Sequence, residues 1–240
     1  MSRVRAIARI AALIVAMLVA VPLHGAWRLV RLPSPWPRLF LGSVARIAGA
    51  RRVTIGTPLR RDAVFLANHQ SWLDILLLAG ASGTAFIAKD SLEKVPLIGW
   101  LCRLNNTIFV ARTDRMGIAG QIDKVRAALA DGWNVAIFPE GTTTDGQALL
   151  PFKAPLLAVL EPAPPGVRVQ PVWIDYGAAA ADVVWIGDEH GKDNALKVLG
   201  RRGTFAVRMH FLEPIDPAVV AGRKAIAVEA RARIEGAMGA

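Results

Sequence analysis

Asn68-His69-Gln70-Ser71-Trp72-Leu73-Asp74 joins two apolar runs of different kinds. Ala63-Val64-Phe65-Leu66-Ala67, before it, is short and of strand type. Ile75-Leu76-Leu77-Leu78-Ala79, after it, favours helix. A histidine and an aspartate five positions apart at such a turn reach each other across the first helical turn. The carboxylate then holds one imidazole nitrogen and leaves the other free to take a proton. The plain alternative is a polar loop capped by Asn68 or Ser71, with Asp74 merely favouring the helix start. What tips the balance is Phe138-Pro139-Glu140-Gly141-Thr142, a second polar signature that follows another strand about seventy residues on.

Working outward, short strands and helices alternate from Arg51 onward. Strands are predicted at 52–56, 63–68, 84–88, 107–111, 134–138, 168–174, 182–186 and 204–212, and helices at 72–80, 114–131, 152–160 and 217–236. The helix at 114–131 opens on a capping aspartate, Asp114, and stops at Gly132. This pattern predicts an α/β fold, a mixed central sheet flanked by helices on both faces. At 240 residues one sizeable core is expected, with residues 50–240 forming the domain and residues 1–49 a pair of N-terminal helices.

The hydrophobic share of 53% and mean hydropathy of +0.38 exceed the soluble norm of roughly 45–50% apolar, so part of the excess is expected to meet lipid. Cys102, the one cysteine, excludes an internal disulfide and reads as a structural residue. The net charge of +10 is uneven: residues 1–61 hold 11 arginines and no acid, leaving 18 basic and 19 acidic residues in the remainder. An anionic surface is the natural partner of such asymmetry. Around Ile10 to Val21 the arginines flank an aliphatic run, not base-stacking aromatics, which selects membrane lipids over nucleic acid.

Ile10 to Trp27 carries no Asp, Glu, Lys or Arg. Its helical length of about 27 Å falls just short of a hydrocarbon core of roughly 30 Å. A signal peptide competes with an anchor here, but arginine and tryptophan follow the run where a small-residue cleavage site and a polar start belong. The run therefore reads as an uncleaved anchor, spanning the bilayer or lying in its interface. A second helix, capped by Ser34 near Pro35 and running to about Gly49, places Trp36, Leu39, Phe40, Val44 and Ile47 at helical spacing. It suits the bilayer face and a protein core equally.

The two polar signatures together resemble the glycerolipid acyltransferases of the 1-acylglycerol-3-phosphate acyltransferase type, with Asn68-His69-x-Ser71-x-x-Asp74 in the place of the HX4D motif. Ile108-Phe109-Val110-Ala111-Arg112 is similar to the family's second block and Val169-Gln170-Pro171-Val172-Trp173-Ile174 to its fourth. The likeness runs from about residue 50 to 215, with the blocks in order. It implies an O-acyltransferase of phospholipid biosynthesis that moves a fatty acyl chain from acyl-CoA or acyl carrier protein to the free hydroxyl of a lysolipid. The leading acceptor is lysophosphatidic acid, yielding phosphatidic acid, and the alternative is lyso-ornithine lipid or another lysolipid. A membrane-bound thioesterase or a non-catalytic lipid-binding protein stands further off. The enzyme is expected at the inner, cytoplasmic membrane with its catalytic domain on the cytoplasmic side, where such donors reside.

Acyl transfer from a thioester needs a base for the attacking hydroxyl and stabilisation of the oxyanion. His69 is the candidate base and Asp74 its orienting partner. Ser71 lacks the Gly-x-Ser-x-Gly elbow that exposes a serine nucleophile, so direct attack by the lipid hydroxyl is preferred to an acyl-enzyme. By resemblance, Glu140, Gly141 and Thr142 bind the acceptor and Arg112 contacts its phosphate; Lys153 adds positive charge weakly. The chain departs from the family at Asn106 and Ala111, where glycine and aspartate are usual, and at Thr143, where arginine is common. Losing that cation weakens the case for a free phosphate monoester as the headgroup, while lysophosphatidic acid stays the leading acceptor. His24, His69, His190 and His210 lack metal-ligand spacing, so no metal and no cofactor beyond the thioester co-substrate is expected.

Overall fold

A computed structural model describes residues 2–32, 34–110 and 118–239. Two helices, α1 (Arg3–Leu29) and α2 (Trp36–Ile47), lead into β1 (Ala50–Ile55), β2 (Ala63–Ala67), α3 (Leu73–Ser82) and β3 (Ala85–Lys89). Next come α4 (Pro96–Leu104), β4 (Ile108–Val110), α5 (Ile118–Ala130), β5 (Val135–Ile137) and β6 (Arg168–Asp175). The chain finishes with α6 (Ala180–Val183), α7 (Gly191–Gly200), β7 (Phe205–Phe211) and α8 (Arg223–Met238). The strands form one sheet in the order β1-β7-β6-β2-β5-β3-β4. Pairing is parallel except between β6 and β7, so the sheet is mixed, as the alternation predicts.

The centre of the sheet explains the apolar run at 63–67. β2 lies between β5 and β6, and all five of its residues are buried, as a strand covered on both faces requires. Strand alternation sends Ala63, Phe65 and Ala67 into one core with Leu73, Leu77 and Leu78 of α3. Val64 and Leu66 enter a second core on the opposite face, with Val125 and Leu129 of α5 and Ile226 and Ala230 of α8. β2, β5 and β6 run parallel, so their C-terminal ends share one edge. That edge is where open α/β sheets place their ligands.

The first two helices are not appended loosely. A Cβ built on Gly80 of α3 would lie 2.7 Å from the Cα of Gly42 in α2, so the two backbones touch there. Arg38 donates to the carbonyls of Gly80 at 3.3 Å and Ala81 at 2.7 Å, closing the C-terminal end of α3. Of the two fates open to α2, the core contact is realised: Ala45 and Ala48 are buried in the same core as Phe65. Ser34 Oγ accepts the Trp36 N–H at 3.4 Å, while Pro35 occupies the cap position itself.

Several predicted elements shift. The strand expected at 182–186 is absent: Ala180–Val183 is a helical turn, and Trp185 follows outside any regular element. The Trp185 N–H is drawn instead to the carbonyl of Gln70 at 2.8 Å, which takes this segment out of the sheet and across the 68–74 loop. Pro155–Leu160 is a 3-10 helix where an α-helix over 152–160 is expected, and α8 starts at Arg223, not 217. Helices α4 and α7 have no counterpart in the sequence reading. α5 ends before Gly132 as predicted, whereas its expected cap, Asp114, lies outside the described residues.

Candidate active site

At the end of β2 the side chain of Asn68 continues the ladder where the backbone leaves it. Its amide accepts the Ile174 N–H at 2.7 Å and donates to the Ile174 carbonyl at 3.0 Å, so β2 stays pinned to β6 while the main chain turns away. His69 stands on that turn, with Nδ1 2.9 Å from Asp74 Oδ2. The same oxygen accepts the backbone N–H groups of Gln70 at 2.7 Å and Ser71 at 2.8 Å. Oδ1 accepts the Tyr176 hydroxyl at 2.5 Å. The Asp74 side chain is fully buried, whereas His69 keeps 15% of its side-chain surface exposed. An ionised carboxylate only accepts, so its Nδ1 partner must carry the proton. Nε2 is then the imidazole nitrogen with a free lone pair. The sequence-predicted pair is therefore joined, with Asp74 on the Nδ1 side of the ring.

The second wall comes from the end of β5. Phe138 lies flat under the His69 ring, with centroids 4.1 Å apart and planes 17° from parallel. Glu140 is fully buried: Oε1 accepts the His69 N–H at 2.9 Å and Oε2 accepts the Leu150 N–H at 3.0 Å. Burial pushes the Glu140 carboxyl above its usual range, opposed by those two hydrogen bonds. Thr144 completes the clamp by donating its N–H to the His69 carbonyl at 2.8 Å. The described contacts of Glu140 thus join the two signature loops.

Gly141 has φ +75, and a Cβ there would sit 3.0 Å from the Lys153 ammonium. The Lys153 N–H donates to the Pro139 carbonyl at 2.8 Å, which seats this exposed lysine beside the loop. Thr142 is exposed and Thr143 half-buried. Arg112 lies outside the described residues. Ser71 is fully buried; its hydroxyl donates to the Val183 carbonyl at 3.2 Å and lies 3.4 Å from the Leu73 N–H. That is the environment of a structural serine. Burial raises the Cys102 thiol above its ordinary range, which suits the structural reading of that residue.

Sequence reasoning leaves two supports unnamed. Trp72 Nε1 donates to Asn194 Oδ1 at 3.0 Å, and the buried Asn194 amide donates to the Val184 carbonyl and to Glu189. Helix α7 thereby holds the outside of the catalytic loop. The other is Tyr176, whose position two residues after the fourth block, at the C-terminal edge of the sheet, is the one signal that marks it.

A mixed α/β sheet carrying a His–carboxylate pair at the C-terminal ends of its parallel strands suits a base-catalysed transferase or hydrolase. Comparison with known proteins is more specific. The acyltransferase family model matches residues 50–175, and the chain belongs to that family. It is an enzyme, an O-acyltransferase. It is 32% identical over 231 residues to a lyso-ornithine lipid O-acyltransferase of Rhodobacter capsulatus, covering 91% of this chain and 80% of the relative. It is 40% identical over 90 residues to a 1-acyl-sn-glycerol-3-phosphate acyltransferase of Neisseria gonorrhoeae, covering 38% of this chain and 35% of the relative. The crystal structure of the Thermotoga maritima 1-acyl-sn-glycerophosphate acyltransferase, PlsC, superposes with a TM-score of 0.64 at 24% identity. That likeness covers 98% of this chain and 97% of the other, and it is one of fold.

Proposed function

We propose that the chain acylates the free hydroxyl of a lysolipid at a membrane surface, with His69 as general base and without an acyl-enzyme. Nε2 of His69 takes the proton of the lipid hydroxyl as its oxygen attacks the thioester carbonyl of acyl-CoA or acyl carrier protein. The tetrahedral oxyanion collapses, the C–S bond breaks, and the thiolate leaves with the proton held on Nε2. Asp74 keeps the proton on Nδ1 and stabilises the imidazolium between these steps. A positioned base typically contributes 10²–10⁴-fold. The rest must come from holding acceptor and thioester together and from donors to the oxyanion. No cofactor beyond the thioester is required by this chemistry. The observation that carries the reading is the dyad itself, one partner fully buried and the other partly open.

Lyso-ornithine lipid is the acceptor we favour. Similarity to enzymes of that name extends over nearly the whole chain, with a second at 34% identity over 212 residues in Rhizobium meliloti. Thr143, which stands where relatives of the phosphate-acceptor type often carry arginine, supports the same choice. Lysophosphatidic acid is the second reading, favoured by the 40% identity over 90 residues to the Neisseria enzyme and by Arg112. Gly141, Thr142 and Lys153 are the acceptor-side candidates in either case, with Glu140 holding the base from beneath.

Residues 1–49 would seat the enzyme and residues 50–240 carry the chemistry. α1 is the one described helix long and apolar enough to cross a membrane. Its contacts with α2 and α7, together with an outer face of Ile7, Ile14, Val15, Leu18 and Val19, favour lying in the interface. Donor chemistry favours the cytoplasmic side of the inner membrane.

The deciding assay offers the purified protein labelled acyl-CoA or acyl carrier protein against lyso-ornithine lipid, lysophosphatidic acid and other lysolipids. Acylated product with release of one thiol is expected, lost in His69→Ala. Free fatty acid formed without dependence on acceptor would identify a hydrolase. Turnover of lysophosphatidic acid alone would reverse the acceptor order.

A further inference from the structure

We propose that Tyr176 is a positioning residue of the dyad: its hydroxyl fixes the Asp74 carboxylate so that Oδ2 stays on Nδ1 of His69. The proposal rests on the general-base reading above.

Asp74 is held very unequally at its two oxygens. The three donors on Oδ2 all come from residues 69–71, three consecutive residues of one loop. The donor on Oδ1 comes from a residue 102 positions away, just beyond β6, a strand locked to β2 by their parallel ladder. A carboxylate bonded through one oxygen can swing about its last torsion, which is broad and soft. Bonded through both, from opposite sides, it cannot. Tyr176 is the chain's only tyrosine, it is buried, and its ring lies 6.4 Å from that of Phe205 in the core. Packing alone would be served by phenylalanine, since a buried hydroxyl costs free energy unless it is bonded. The hydroxyl is therefore matched to the carboxylate and not to the core. Burial, with Asp74 next to it, pushes the phenol well above its ordinary range, so it remains a donor at assay pH.

A donor on Oδ1 also draws charge away from Oδ2. Removing it leaves more of the carboxylate's charge facing the imidazole, which favours the imidazolium and moves the acid limb of the rate profile to higher pH. Among the described residues, the other titratable or charged groups beside the dyad are Glu140 after β5 and Lys153 beside Gly141, and the Glu140 oxygens are engaged by His69 and Leu150, not by the Tyr176 hydroxyl.

The test uses the full chain with palmitoyl-CoA as donor, lyso-ornithine lipid and lysophosphatidic acid as acceptors, and thiol release as readout. In Tyr176→Phe, kcat is expected to fall roughly tenfold to a hundredfold, the scale of one charge-assisted hydrogen bond, with KM within about twofold. The acid limb of kcat/KM should move up by on the order of half a pH unit. Because the chain has one tyrosine, growth on 3-fluorotyrosine modifies this hydroxyl alone and makes it a stronger donor. That protein should keep kcat within a few fold and move the acid limb the opposite way, and it supplies the answer should the phenylalanine variant fail to fold. A lower melting temperature with kcat and acid limb unchanged in either protein would reduce Tyr176 to a packing residue and overturn the inference. His69→Ala, run alongside, separates the two levels. Activity surviving there removes the base reading and this inference together, whereas activity lost there but unchanged in Tyr176→Phe removes only the inference.

Discussion

Helices α1 and α3 are both apolar along most of their length, yet the fold treats them in opposite ways. α3 is enclosed: Leu73, Leu77, Leu78, Ala79 and Ala81 are buried between the sheet and α2, and Asp74 is buried with them in its first turn. α1 has Ala6 and Ala20 as its buried residues and leaves Val4, Ile7, Val15, Leu18 and Val19 in the open. A helix apolar all round belongs in a core, and one with an uncovered apolar face needs another cover. The difference lies in what each helix has beside it, so composition alone does not separate a core helix from one with an uncovered apolar face.

The sharpest way to break that comparison is to disturb what α3 presents. Asp74→Asn should cut kcat by on the order of 10²–10⁴-fold, because the amide no longer selects the Nδ1-protonated imidazole. Binding to anionic vesicles should be unchanged in the same variant. Near-normal turnover would detach α3 from the chemistry and leave it a core helix only.

Gly80→Leu attacks the enclosure itself. Any Cβ there meets the α2 backbone, so overpacking by about 1–3 kcal/mol is expected, or several degrees in melting temperature. The matched change in α1, Gly25→Ala, adds a Cβ with nothing within 4 Å and should leave the melting temperature level or slightly higher. Equal losses at the two positions would mean that α1 is packed as tightly as α3.

What could be read from the sequence divides along the same line. The dyad, the β5 turn and the central strand are legible because each is local: five residues bring His69 to Asp74, and an unbroken apolar run marks β2. The supports are not legible, because each is made across the sheet. Asn68 reaches Ile174, Trp72 reaches Asn194 and Tyr176 reaches Asp74 over separations above one hundred residues. The run at 182–186 looks like a strand for its Val183-Val184-Trp185-Ile186, but tertiary bonds to Ser71 and Gln70 override the local preference. α7 stays hidden because its sequence, Gly-Lys-Asp-Asn-Ala-Leu-Lys-Val-Leu-Gly, begins and ends in glycine.

On α1 the exposed face can be tested without touching the fold. Val15→Ser with Leu18→Ser removes apolar surface that the protein leaves mostly exposed. Full burial of such side chains is worth roughly 1.5–3 kcal/mol each, and an interfacial helix realises part of it. Partition to vesicles should fall about tenfold or more, while turnover of detergent-dispersed acceptor and the melting temperature stay as they are. Unchanged partition would mean that α1 does not seat the protein.

The smallest expected effect lies where the two regions meet. Arg9, in the first turns of α1, donates to the carbonyls of Val198 at 3.2 Å, Leu199 at 3.1 Å and Gly203 at 2.8 Å, and Arg5 donates to the Gly200 carbonyl at 3.2 Å. These carbonyls lie in and just beyond the last turn of α7, where a helix has acceptors without partners and a partial negative charge. Part of the N-terminal basic excess, which the sequence assigns to an anionic surface, is thus engaged inside the protein. Arg9 is half-buried, so Arg9→Gln should cost about 1 kcal/mol, or roughly 2–4 °C in melting temperature for a domain of this size. Because α7 also holds Trp72 through Asn194, the junction lies two hydrogen-bonded steps from the catalytic loop. If α1 only seats the enzyme, kcat in Arg9→Gln stays within about twofold of wild type, the scale of a few tenths of a kcal/mol. A tenfold fall in kcat at an unchanged melting temperature would show instead that docking of α1 on α7 sets the dyad, and the two helices would then act as one unit.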